Sequence, residues 1–233
     1  MDVLFDGLAE AVGLLWSGDE ESWSIILLTL RVSLTATAIA LLVGVPLGAA
    51  LALVRFPGRR IALAAANTGM GMPPVVIGLF VTVLLWRSGP LGGMELLYTP
   101  AAMVIAQGAI ATPIVVALVA AAVQQVDPDF RVQMQALGAT PVRAFAALLG
   151  EARLPLLAAA MAGFGAVVSE VGAAQMVGGN LAGQTRVLTT AAVLATSRGQ
   201  FSLAIAFGLV LLVIAFGVNL ALTMAQQRRA VPR

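Results

Sequence analysis

The 233-residue sequence contains no cysteine, no histidine, no lysine and a single tyrosine. Without cysteine there is no disulfide and no thiolate metal site, and without histidine the usual nitrogen ligands of transition metals are missing as well. Without lysine there is no Walker A loop, whose lysine sits on the phosphates, so the chain is not its own P-loop motor. Charge is scarce too: 10% of residues are charged and 60% hydrophobic. One soluble core cannot hide that much apolar surface, and uninterrupted apolar runs of more than about twenty residues mark an all-α polytopic membrane protein. All thirteen basic residues are arginine, against eleven acids. No basic patch is interleaved with aromatics, so the expected contact is with anionic lipid headgroups and not with nucleic acid. No carboxylate pair in a cleft, nucleophile with a base, or phosphate loop appears. The residues therefore carry no catalysis that would make the chain an enzyme, and no cofactor is expected.

Residues 1–24 are not a signal peptide, because Asp2 and Asp6 replace the positive start and Glu10 breaks the apolar stretch. Leu4, Leu8, Val12 and Leu15, with Trp16 beside them, predict an extracytoplasmic interfacial helix followed by Asp19, Glu20 and Glu21 in water. Five spans are expected at 25–54, 61–86, 101–126, 156–177 and 201–225, with a tail over 226–233. The first carries a kink signal at Gly44, Pro46 and Gly48. The second contains Gly69, Gly71, Pro73 and Pro74 at membrane depth, where irregular backbone survives only against protein or a water-filled path; a plainly kinked helix is the alternative. Within 178–199, a polar glycine-containing segment, residues 187–196 read as a short re-entrant helix. If the loops at 55–60, 127–153 and 226–233 share a side, they hold three arginines each, and the positive-inside rule then places the C-terminus in the cytoplasm and the N-terminus outside.

The longest interruption between apolar runs is 127–155. Asp127 and Thr140 are N-cap residues, each followed at once by proline at the first helical position, so helices are expected to start at about 128 and 141. Gly138 ends the first, whose apolar face is Phe130, Met134 and Leu137; Phe145, Leu148, Leu149 and Ala152 share a face of the second. Such a pair can lie on a lipid surface. The run Ala136, Leu137, Gly138, Ala139, Thr140, with Arg143 after it and Leu154-Pro155 closing the stretch, resembles the cytoplasmic coupling loop of ATP-binding-cassette (ABC) importer permeases. Two departures stand out. Val132 occupies the place of an acidic residue, and Gly138 lies seventeen residues before Pro155, about one helical turn further than the general pattern. The loop role survives them, whereas the acidic contact with a nucleotide-binding partner loses its support.

Residues 169–191 read SEVGAAQMVGGNLAGQTRVLTTA. With GATP and GEAR in the loop, this segment resembles oxyanion permeases, above all the tungstate importer subfamily; molybdate and sulfate permeases share much of it. The resemblance covers roughly 25–225. It implies a type I ABC importer permease fold, a homodimer, two ABC ATPase subunits, and an extracytoplasmic oxyanion-binding protein that delivers the substrate. Gly172, Ala173 and Ala174 permit close helix approach, either to expose backbone to a substrate or simply to pack. Asn180, Thr185, Thr189 and Thr190 offer neutral hydrogen-bond groups and Arg186 a charge, although a solvated outer loop has the same composition.

Two charges fall inside the expected spans, Arg31 and Glu170. Both lie roughly 9 to 11 Å below the outer ends of their spans at 1.5 Å per residue. Equal depth permits an ion pair; the alternative is that each faces a hydrated cavity separately or that Arg31 snorkels outward. A secondary carrier or channel without an ATPase is the rival function. It would be expected to show internal repeats or several midplane carboxylates, neither of which is evident.

Overall fold

The computed structural model describes residues 2–16 and 18–228 and is all-α among them. Helix α1 (Asp2–Trp16) precedes the longest helix, α2 (Glu20–Leu53). The start of α2 lies five residues before the first expected apolar position because Asp19 caps it. The Asp19 carboxylate accepts from the Ser22 N–H at 2.9 Å and the Ser22 hydroxyl at 2.6 Å. These bonds, the hydroxyl's first, hold the Asp19 carboxyl below its ordinary range. Glu20 and Glu21 add negative charge at the positive end of the helix dipole. Pro46 is accommodated inside the continuous helix.

The second span is two half-helices, α3 (Arg59–Met70) and α4 (Pro74–Leu85), bent by 103°. That angle is too large for a plain proline kink. Gly71 ends α3, Pro73 is extended at φ −58° and ψ 123°, and Pro74 starts α4 at a position where its missing N–H is harmless. A single 3-10 turn at Gly92–Met94 leads to α5 (Pro100–Gln124), the central helix, which keeps Pro113 within it.

Helices α6 (Pro128–Ala136) and α7 (Pro141–Glu151) begin where the cap-plus-proline signals put them. The Asp127 carboxylate accepts from the Asp129 N–H at 2.9 Å and the Thr140 hydroxyl from the Arg143 N–H at 3.4 Å. Helix α7 turns by 70° into α8 (Arg153–Val168). The expected fourth span is not continuous. It breaks at 169–171 and resumes as α9 (Gly172–Gly178). The Ser169 hydroxyl donates back to Gly165 O at 2.8 Å, and the Glu170 carboxylate takes the Ala173 N–H at 2.9 Å, so one helix closes and the next is capped within three residues. After a loop come α10 (Leu188–Ser197), the short helix read from the sequence, and α11 (Phe201–Arg228). Among the described residues, three helices are long and apolar enough to cross a membrane, or up to five if each bent pair counts as one span.

Three apolar clusters hold the bundle together. One joins α2, α4, α5 and α9 around Val32, Val81, Met103 and Val177; a second joins α2, α5, α7 and α8 around Val115, Val119, Leu148 and Val167. The third packs α1, α2, α10 and α11 around Ala11, Ile25, Leu188 and Phe207. Helix α1 meets α11 through its small residues: a Cβ on Gly7 would lie 2.7 Å from Ile205 Cγ2. Its larger apolar residues Leu4, Leu8, Val12, Leu15 and Trp16 remain exposed.

The loop at 55–60 and the stretch around 127–148 share one end of this bundle, whereas residues 229–233 of the arginine-rich tail lie outside the described residues. Arg59 donates from Nε–H to Leu51 O at 2.6 Å and from Nη2–H to Ala52 O at 3.1 Å, covering the carbonyl end of α2. Arg55 and Arg59 line a cavity with Asp127 and Leu148, and Gln226 near the end of α11 donates to Leu154 O at 3.4 Å. Asp19, Glu21, Arg186 and Arg198 line a cavity at the opposite end.

Candidate functional site: two broken helices and an exposed helical elbow

The two helix breaks lie side by side. A Cβ on Gly172 would fall 2.7 Å from Val75 Cγ2, and one on Gly78 would fall 2.7 Å from the Ala173 Cα. The first turns of α4 and α9 are therefore in direct contact just past each break. Unwound backbone within the membrane layer needs protein or water as a partner, and paired discontinuous helices are a recurrent way to build a polar path. Ala173 and Ala174 are fully buried. Of their two sequence readings, close packing is the one realised.

The polar residues after α9 have mostly structural duties. Thr185 is fully buried; its hydroxyl donates to Gly178 O at 2.5 Å and accepts from the Leu181 N–H at 3.0 Å. The Thr189 hydroxyl donates to Glu170 O at 3.0 Å, tying α10 to the break after α8. Thr190, also fully buried, takes the Val187 N–H at 3.1 Å. The orphan N–H of Leu188 is met from α2, by the Thr29 hydroxyl at 2.9 Å. These threonines brace the re-entrant segment, with each hydroxyl bonded to nearby backbone. Asn180, at φ +52°, accepts from the Arg186 Nε–H at 3.3 Å through its Oδ1.

Arg186 keeps an available charge. Its Nη1–H donates to Glu21 Oε1 at 3.4 Å, forming an ion pair across 165 residues of sequence. No local pattern signals that contact. Arg31 and Glu170 do not pair: the Glu170 carboxylate is turned onto α9, whereas Arg31 is exposed on α2 beside a cavity that Arg186 also lines. Residue counting suggested equal depth, but depth carries no information about which way around a helix a side chain points.

At the other end, α6 closes with a full Schellman pattern. The Gly138 N–H donates to Gln135 O at 2.9 Å and the Ala139 N–H to Met134 O at 3.0 Å, with Gly138 at φ +74°. Ala136, Leu137, Thr140 and Arg143 are exposed and Ala139 is half-buried. Leu137 does not join Phe130 and Met134 against the bundle; it is 81% exposed, with Val132 at 63% and Val142 at 77%. Leu148 and Ala152 anchor α7 inward, leaving an elbow with apolar residues on its outer side.

The all-α architecture matches that of a chain in the inward-facing MetNI methionine ABC transporter, with a TM-score of 0.68 at 23% identity, over 94% of this chain and 98% of that one. The fold is thus one found in an ABC transporter. Residues 44–231 match the model for the binding-protein-dependent transport system inner membrane component, and the chain belongs to that family. It is 37% identical to the tungstate uptake system permease protein TupB of Peptoclostridium acidaminophilum, over 97% of this chain and all of that protein. It is 39% identical to a probable anion ABC transporter permease protein of Haloferax volcanii, over 84% and 87% of the two chains.

Proposed function

We propose that this chain is the permease subunit of an ATP-driven importer that carries an oxyanion, with tungstate as its substrate. The observation that carries the reading is the near full-length similarity to a tungstate uptake permease. Two copies of the chain enclose the path, since so few helices hardly surround one alone. Two ABC ATPase subunits dock on the α6–α7 elbow, where Leu137, Val142 and Arg143 are presented to a partner, and an extracytoplasmic binding protein delivers the anion. The sharing of one bundle end by Arg55, Arg59, Arg60, Arg143 and Arg153 supports a cytoplasmic elbow and C-terminus, with α1 outside.

The substrate is tested by tungsten uptake in cells that carry or lack the gene for this chain. Uptake at low tungstate should require the gene and should resist a tenfold excess of sulfate. Equal competition by sulfate, or uptake that is indifferent to the gene, contradicts the assignment. Molybdate as the better competitor would move the substrate within the same class.

Orientation has its own test, free of background because the chain has no cysteine. A cysteine in place of Gly93, where a Cβ meets nothing within 4 Å, should react with an impermeant thiol reagent added outside. One in place of the exposed Ala146 on α7 should react only after permeabilisation. The reverse pattern overturns the topology.

A further inference from the structure

The end of the bundle opposite the elbow contains a cation without a partner. Arg31 stands on α2, eleven residues after Glu20, and among the described residues nothing bonds to its guanidinium. An unpaired charge within a span is costly unless an anion or water serves it. Arg31 lines a cavity of about 320 Å³ together with Ser24, Gly183, Gln184 and Arg186, and no carboxylate lines it. The Ser24 hydroxyl is committed to Glu21 O at 2.7 Å, so the polar groups facing this space are the Arg31 guanidinium, the Gln184 amide and the Arg186 guanidinium, which is already bonded to Asn180 and Glu21.

Arg186 stands between this cavity and the neighbouring one, which contains Asp19, Glu21 and Arg198. Its ion pair with Glu21 is long at 3.4 Å, and the Glu21 side chain is 63% exposed whereas that of Arg186 is 17% exposed. A mostly hydrated carboxylate gains little from such a pair and gives it up readily.

We infer that Arg31 and Arg186 together form an entry site for a divalent tetrahedral oxyanion, and that Glu21 is a built-in competitor that holds Arg186 while the site is empty. This inference rests on the oxyanion-transport reading. Two planar guanidinium forks match the charge and the edges of such an anion, and each can donate two parallel hydrogen bonds. Entry of the anion releases Glu21 to water, and return of Glu21 to Arg186 helps expel the anion. Weak, exchangeable binding is what a transport path needs. A phospholipid headgroup presents the same oxygens, so the source must be distinguished.

The test is equilibrium dialysis of the purified permease, in phosphatidylcholine nanodiscs, against tungstate at low salt. Arg31→Gln should weaken tungstate binding by about tenfold, the scale of one lost charge-assisted hydrogen bond. Arg186→Gln should do at least as much, but because it also frees Asn180, the exposed Arg31 variant is the decisive one. Glu21→Gln should tighten binding severalfold, an outcome that a purely structural ion pair does not produce. Unchanged or weaker binding in Glu21→Gln, or tungstate binding indifferent to Arg31, overturns the site. A phospholipid seen by native mass spectrometry that leaves with Arg31→Gln, and that tungstate does not displace, assigns the cavity to lipid and also overturns it. If instead tungstate uptake by the complete transporter proceeds normally in both the Arg31 and Glu21 variants, the transport reading stands and this site falls. If the complete transporter moves no tungstate while sulfate binding follows the same order across variants, the site stands and the tungstate assignment falls.

Discussion

Gly48→Val is expected to destabilise the permease severely. A Cβ at position 48 would lie 2.6 Å from Val116 O and 2.8 Å from Val119 Cβ. The first of these is backbone and cannot rotate away, so α2 and α5 must separate. Those helices make the largest packing surface of the bundle, with Val115 and Val119 fully buried beside the contact. Overpacking of this kind costs about 3 kcal/mol, which corresponds to a fall in thermal midpoint of roughly 6 to 12 °C for a chain of this size. Thermal unfolding in detergent, followed by the loss of the monodisperse peak, measures it. Gly217→Val on α11, where a Cβ meets nothing within 4 Å, is the control and should change little. Equal loss in both variants would mean that α2 and α5 do not approach as closely as these distances require.

Gly138→Val should act on coupling. A Cβ there meets nothing, so space is not the obstacle. The obstacle is φ +74°, in the left-handed region where a side-chain-bearing residue costs about 1 to 2 kcal/mol and a β-branched one more. The Schellman hydrogen bonds that close α6 and aim α7 depend on that conformation. Relaxing it swings Leu137 and Val142 relative to each other while the membrane helices stay in place. The expected result is normal insertion and assembly with substrate-stimulated ATP hydrolysis reduced severalfold. Gly138→Asn, which tolerates left-handed backbone, should retain most of the stimulation. Full stimulation in the valine variant would remove the α6–α7 elbow from the coupling route.

Local signals in the sequence were reliable where the physics is local. The caps Asp127 and Thr140, each with a following proline, located two helices, and Gly138 located the turn between them, because each needs only its own neighbours. The Gly71, Pro73 and Pro74 cluster announced a broken span for the same reason. Hydropathy misled at 156–177, where apolar residues on both sides of Ser169 and Glu170 conceal the gap between α8 and α9. That gap is made by one back-bonded serine and one capping carboxylate. Asp19 as the cap of α2 was overlooked because three acids in a row resemble a solvated linker. Polarity likewise gave no sign that Thr185, Thr189 and Thr190 are buried: a hydroxyl satisfied by nearby backbone can leave the surface altogether. The Glu21–Arg186 pair depends on how α2 packs beside the segment after α9, a long-range relation that no window of sequence contains.

The central claim is that this chain passes an oxyanion across the membrane when ATP is hydrolysed by a partner. The direct measurement is tungsten accumulation in proteoliposomes that contain this permease and its ABC ATPase, with the binding protein and tungstate outside and ATP sealed inside. ATP-driven import predicts accumulation that requires hydrolysable ATP and persists when ion gradients are collapsed by ionophores. Equal accumulation without ATP, or accumulation that disappears with the ion gradients while ATP is present, would contradict it.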